Sequence, residues 1–229
     1  MSGQQCAPVQ EGRSMARKPE GTIVSYSDEG ESYSTTLFDL SGGILETVEY
    51  DSFNQETRNS LVSDSVGEWI YFTKRDADYD LDLIRSLLEL DLDIVSPLVC
   101  ENASPWRPLA YSRIDESQTH IPIDLSSSDR GIKEVVAVSM VSALIRRRVF
   151  DEMEAPYFEE GLMGNNIIPE DLYFCHKARK LGFKVHIDLS KSISRKAQYF
   201  SSIVLDSNDR WHTKIEFGEN MSIGIPTVV

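Results

Sequence analysis

Hydrophobic and polar positions alternate along this chain in two rhythms. Period-two or unbroken apolar stretches at residues 22–26, 44–50, 69–73, 93–99 and 184–188 predict strands. The densest of them, Trp69-Ile70-Tyr71-Phe72-Thr73, has no polar alternation until Lys74, as a strand covered on both faces requires. Helical spacing appears at Leu83, Ile84, Leu87 and Leu88, and again at Leu172, Cys175, Ala178 and Leu181, with Gly182 placed to end the second helix. Leu61 and Val62 mark a mostly polar helix over 55–65. Residues 34–40 read as a short helix or irregular crossover, and the valine-rich stretch 135–145 as two β segments before Arg146. Strands alternating with helices predict an α/β fold with a mostly parallel central sheet flanked by helices.

Two stretches break the rhythm. Residues 1–20 are polar and aperiodic and read as an unstructured tail, leaving 21–229 as a single domain. Residues 101–129 are rich in Pro, Ser and Asp around Trp106; they are too long for an ordinary connection and read as a functional or flexible excursion.

Composition narrows the function classes. With 229 residues and 41% hydrophobic content, the chain can build a sizeable core. A net charge of −14 repels phosphate polymers and anionic membranes, so nucleic acid is not an expected partner, while a small phosphorylated ligand in a locally basic pocket stays possible. Cys6, Cys100 and Cys175 have neither zinc spacing nor the even count of a disulfide framework, which points to a reducing, cytoplasmic compartment. His120, His176, His186 and His212 show no metal-ligand spacing. No stretch approaches 18 apolar residues, so no integral membrane segment is expected.

Four segments together resemble a known family. They are Arg58-Asn59-Ser60-Leu61-Val62, residues 69–99, Ala143-Leu144-Ile145-Arg146-Arg147-Arg148-Val149-Phe150, and the run from Pro169-Glu170-Asp171 through Ala178-Arg179-Lys180-Leu181-Gly182-Phe183-Lys184-Val185 to Asp188. This pattern, over most of residues 22–197, is similar to nucleotide-sugar glycosyltransferases of the GT-A fold, family 2 type. The last segment is the most specific, because an acidic pair opening a helix that closes on Ala-Arg-Lys-x-Gly-Phe is uncommon by chance. The resemblance implies a single GT-A-like domain that transfers a sugar from a nucleoside diphosphate sugar to a hydroxyl acceptor, a glycan, with inversion.

Such enzymes carry Asp-x-Asp after the strand matched by 69–73, and a later histidine; together these hold Mn²⁺ or Mg²⁺ on the donor diphosphate. In the register that keeps the following helix aligned, Lys74 stands at the first aspartate, Arg75 between, and Asp76 at the second, while Arg195, followed by Lys196, stands where the histidine belongs. Fixed cations then replace a metal, and no cofactor is expected. The other register, Asp76-Ala77-Asp78, restores a metal site with Asp76 and Asp78 as ligands. The resemblance also implies that Asp171, or its neighbour Glu170, takes the acceptor proton. Asp28, Arg58 and Asn59 join Lys74, Arg75, Asp76, Arg195 and Lys196 as donor-binding residues, and Trp106 stacks on the acceptor. Each has a plainer reading: Glu170 and Asp171 as helix N-terminal carboxylates, Asp28 as a turn residue, Lys74 and Arg75 as solvated charges. Two other functions compete: an inactive relative that binds nucleotide or carbohydrate, and a metal-dependent nucleotidyltransferase, which suits the Asp76-Ala77-Asp78 register.

Overall fold

The computed structural model describes residues 20–26, 33–39, 43–50, 55–101, 106–117, 119–196, 200–217 and 221–226. Cys6, Asp28 and the expected tail over 1–19 lie outside these residues. The chain opens with β1 (Gly21–Tyr26), β2 (Tyr33–Asp39) and β3 (Gly43–Tyr50), an antiparallel meander. Next come α1 (Gln55–Asp64), β4 (Trp69–Lys74), α2 (Leu81–Glu89) and β5 (Ile94–Leu98). The middle of the chain holds β6 (Ala110–Ile114), β7 (His120–Pro122), β8 (Ile132–Val135), β9 (Ala137–Val138), β10 (Ser142–Arg146) and α3 (Arg147–Asp151). A short hairpin of β11 (Gly161–Met163) and β12 (Asn166–Ile168) leads into α4 (Glu170–Lys180) and β13 (Val185–Ser192). The chain then forms β14 (Arg195–Lys196), β15 (Phe200–Leu205), β16 (Trp211–Phe217) and β17 (Met221–Pro226), a four-stranded antiparallel sheet.

The central sheet has eight strands in the order β3-β2-β1-β4-β10-β5-β13-β8. Only β1–β4 and β5–β13 pair in parallel; the other neighbours are antiparallel. The mostly parallel sheet expected from the sequence is therefore corrected to a mixed, mostly antiparallel one. Residues 34–40 are not a crossover either, since β2 occupies them. Connection length explains the antiparallel β1-β2-β3 part of the sheet. Residues 27–32 and 40–42 can turn a hairpin, whereas a parallel crossover needs a dozen residues or more.

The unbroken apolar run of β4 arises because both faces of the sheet are covered by helices at this strand, which lies between β1 and β10. On one side Trp69 and Tyr71 pack with the stripe Leu83, Ile84, Leu87 and Leu88 of α2. On the other, Ile70 and Phe72 join Leu61 and Val62 of α1, Val149 and Phe150 of α3, and Phe174 of α4. Asp80 caps α2, accepting a hydrogen bond from Leu83 N at 2.7 Å. Gly182, at φ 94°, follows α4 in the left-handed conformation that favours glycine. Within the stretch 101–129, β6 pairs with β7 and also with β9.

Gly21 pairs with Trp69 across the parallel ladder, and a Cβ there would fall 2.0 Å from the indole. Since Trp69 is buried between Phe38 and α2, it cannot yield cheaply. Gly21→Ala is expected to destabilise by about 1–3 kcal/mol, as overpacked cores do. An unchanged urea midpoint would contradict this packing.

Candidate active site at the ends of β1 and β4

The C-terminal ends of β1 and β4 lie side by side, pairing Tyr26 with Lys74. Beyond them the chain turns through 75–78, held by Arg75 N donating to Tyr26 O and Ala77 N to Lys74 O. The turn is then caught by the segment entering β14. Asp78 N donates to Ser194 O at 2.8 Å, Lys196 N donates to Asp76 O, and Ala77 bridges Arg195. This pairing sets the side chains of Asp76 and Arg195 against each other, with Arg195 Nη2 2.6 Å from Asp76 Oδ2. Arg195 is buried, and its Nη1 reaches Cys100 O at 3.5 Å. Lys74 is half-buried, while Arg75 and Lys196 are exposed on either side of the pair.

Facing this edge is the N-terminus of α4. Asp171 Oδ2 accepts from Ser139 Oγ at 2.7 Å and from Met140 N at 3.3 Å, and Oδ1 accepts from Leu172 N at 2.9 Å. The carboxylate thus ties the helix to the turn between β9 and β10. Glu170 instead ion-pairs with Arg58, whose guanidinium lies between the Tyr26 ring, 4.9 Å away, and the Phe158 ring, 5.1 Å away. Asn59 is turned to the same aromatic: its Nδ2 donates to Phe158 O at 2.7 Å and its Oδ1 accepts from Phe158 N at 2.9 Å. Arg58 and Asn59 therefore organise the wall behind the site rather than its open edge.

Tyr26 lies at the centre of these charges. Burial pushes its hydroxyl up to about 12; Arg58 opposes the shift, Asp171 and Glu170 add to it, and Arg195 opposes it. The hydroxyl donates to Met140 O at 2.9 Å. The β6–β7 hairpin closes the Asp171 side. Burial raises Tyr111 to about 12, with Asp171 and Glu101 adding to the rise. Burial lowers His120, and Asp171 pulls it back up. Tyr111 and His120 meet edge to face, with centroids 5.7 Å apart.

Of the residues singled out from the sequence, Lys74, Arg75, Asp76, Arg195 and Lys196 are brought together, and Asp171 and Glu170 lie at the same end of the sheet. Asp78 is exposed and lines a separate cavity of about 340 Å³ with Tyr79, Asp80 and Lys191. Trp106 is half-buried, with φ 52°, in the segment that pairs back onto Cys100. Asp28 lies outside the described residues. Tyr26, Tyr111 and Ser139 do not stand out in the sequence, and His120 does so only as a histidine without metal-ligand spacing; single hydroxyl and imidazole groups without a motif give no signal before the strands are paired. Among the described residues, no group of three His, Cys, Asp or Glu side chains converges as a metal site. Cys100 and Cys175 are both buried. No helix of the described residues is long and apolar enough to cross a membrane.

Buried tyrosines give the fold an alkaline limit. Tyr26 and Tyr111 rise to about 12, and Tyr71 rises further, through burial first, against an ordinary value of 10.0. The folded state holds these protons more tightly than the unfolded chain, so their contribution is complete below pH 10 and is lost as pH rises through the folded values. Absorbance at 295 nm is expected to show tyrosine ionisation coinciding with unfolding. Ionisation of all nine tyrosines near pH 10 with the fold intact would contradict it.

No family model matches the chain, and no curated protein matches it. Among solved structures, the crystal structure of A197 from STIV is similar at 12% sequence identity over 73% of this chain and 73% of that one, with a TM-score of 0.42.

Proposed function

We propose that this protein transfers a sugar from a nucleoside diphosphate sugar to a hydroxyl acceptor, without a metal ion. The observation that carries the reading is the 2.6 Å pair between Asp76 and Arg195, because these two positions, 119 residues apart in sequence, are the ones the resemblance assigns to the donor diphosphate. Around the pair, Lys74, Arg75 and Lys196 offer cations to a leaving diphosphate, in place of the charge a divalent ion would bring. Across from them Asp171, already ordered by Ser139 and Met140, is the general base.

The step is a single displacement. The acceptor oxygen bonds to the anomeric carbon as its proton passes to Asp171, and the bond from that carbon to the diphosphate oxygen breaks on the opposite face. The configuration inverts, and the electron pair leaves with the nucleoside diphosphate, where the cationic edge meets the growing negative charge.

Nucleoside diphosphate sugars screened by thermal shift, with and without Mn²⁺, test donor binding, since a ligand that binds only the native state raises its Tm. We expect one donor to stabilise the protein equally in EDTA and in Mn²⁺, and to be turned over in EDTA. Strict Mn²⁺ dependence would return the Asp76-Ala77-Asp78 register, and stabilisation without turnover in either condition would leave a binding protein.

A further inference from the structure

A second feature lies on the far side of the β6–β7 hairpin from Asp171. Here a cavity of about 540 Å³, within the range that holds small ligands, opens between residues 107–108 and the hairpin. Its floor is apolar, from Pro108, Ile121 and Pro122, and its rim carries two exposed guanidinium groups, Arg107 and Arg113. Among the described residues neither of these arginines has an ion-pair partner, whereas Arg85, Arg130, Arg146, Arg148 and Arg195 each have one. In a chain of net charge −14, two such arginines at one cavity are a local reversal of sign.

Local backbone geometry places them. The pairing of β6 with β7 shifts register between Tyr111 and Arg113, leaving Ser112 as an extra residue on β6. A bulge of this kind re-aims the side chains beside it. Ser112 and Arg113, which a regular strand would send to opposite faces, both line the cavity, while Tyr111 feels Asp171 on the other side.

We propose that this cavity binds the carboxylate-bearing sugar of an acidic oligosaccharide. The apolar floor matches the C–H face of a pyranose ring, and planar guanidinium groups match a carboxylate through paired N–H donors. Ser112 and Asp124 at the same rim suit sugar hydroxyls, and the Asp124 carboxylate opposes a doubly charged phosphate more than a singly charged carboxylate. As an acceptor site this rests on the glycosyl-transfer reading, with one acidic glycan reaching from the cavity over the hairpin to Asp171; as a binding site it stands without it.

The test is calorimetric titration of the full chain with tetragalacturonate, with neutral maltotetraose, and with inorganic phosphate. Tetragalacturonate is expected to bind at least about tenfold more tightly than maltotetraose, and Arg107→Gln with Arg113→Gln to weaken it about tenfold or more, as loss of bidentate carboxylate contacts should. Both arginines are exposed, so the double variant should keep the parent's Tm. Equal affinity for the two glycans, unchanged binding in the double variant, or phosphate displacing tetragalacturonate in the millimolar range would each overturn the proposal. Donor-induced thermal shift, measured on the parent and the double variant, separates the two readings. If the parent is stabilised by a donor and turns it over but binds no acidic glycan, this site fails and glycosyl transfer stands. If the parent binds the acidic glycan but no donor, glycosyl transfer fails and this site stands.

Discussion

Asp171→Asn is expected to lower kcat about 10³-fold with the fold preserved. General bases contribute about 10²–10⁴ to rate, and the amide removes the base while keeping an acceptor oxygen for Ser139 Oγ and Met140 N. What the amide cannot reproduce is the second carboxylate oxygen facing Leu172 N, so a stability loss of about 1 kcal/mol accompanies the change. Ser139→Ala separates position from chemistry. It leaves the carboxylate in place but frees its rotation, and should lower kcat less than Asp171→Asn does, with donor KM unchanged. Full turnover in Asp171→Asn would remove the base from this helix and with it the displacement outlined above.

The second large effect falls on Arg195. Replacing it by Ala leaves the Asp76 carboxylate without its guanidinium partner at a site where Arg195 is only 6% exposed, and breaking one side of a buried pair costs about 3–5 kcal/mol. Because the Asp76 side chain is 26% exposed, water recovers part of that, and the lower end of the range is expected. Asp76→Asn combined with Arg195→Met should lose less than the sum of the two single changes, as a coupled pair requires in a double-mutant cycle. Lys74→Asp with Arg195→His rebuilds the acidic and imidazole positions and should make turnover depend on Mn²⁺. Additive stability losses, or activity of the rebuilt variant indifferent to EDTA, would show that these side chains do not share one site.

What was legible in the sequence followed the range of the interactions concerned. The β1, β3, β4, β5 and β13 strands and the α1, α2 and α4 helices are written locally, in apolar period and in stop signals such as Gly182. Strand direction is not: β4, buried on both faces, pairs parallel with β1 and antiparallel with β10, and its apolar run reads the same for either partner. The short links 27–32 and 40–42 already implied the antiparallel β1-β2-β3 meander. Trp211, Thr213, Ile215 and Phe217 also alternate at period two, a legible strand signal past Asp188 that went unused. In the site, the resemblance points to Asp76 and Arg195, two residues that the fold brings into contact. It does not point to Tyr26 and Ser139, since their importance depends on β1 lying against β4 and on the turn before β10 lying against α4.

The strand bridge at Ala77 has a mechanical consequence. The turn after β4 is stitched to residues 194–196, and those residues open the sheet that runs through β15 to β17. Neither half of the stitch can open alone: freeing Asp78 N and Lys196 N means detaching β14. Opening at this edge is therefore a sub-global event that involves the strand leading into β15. Residues of β15 to β17 thereby bear on the lifetime of the assembled edge without lying in it.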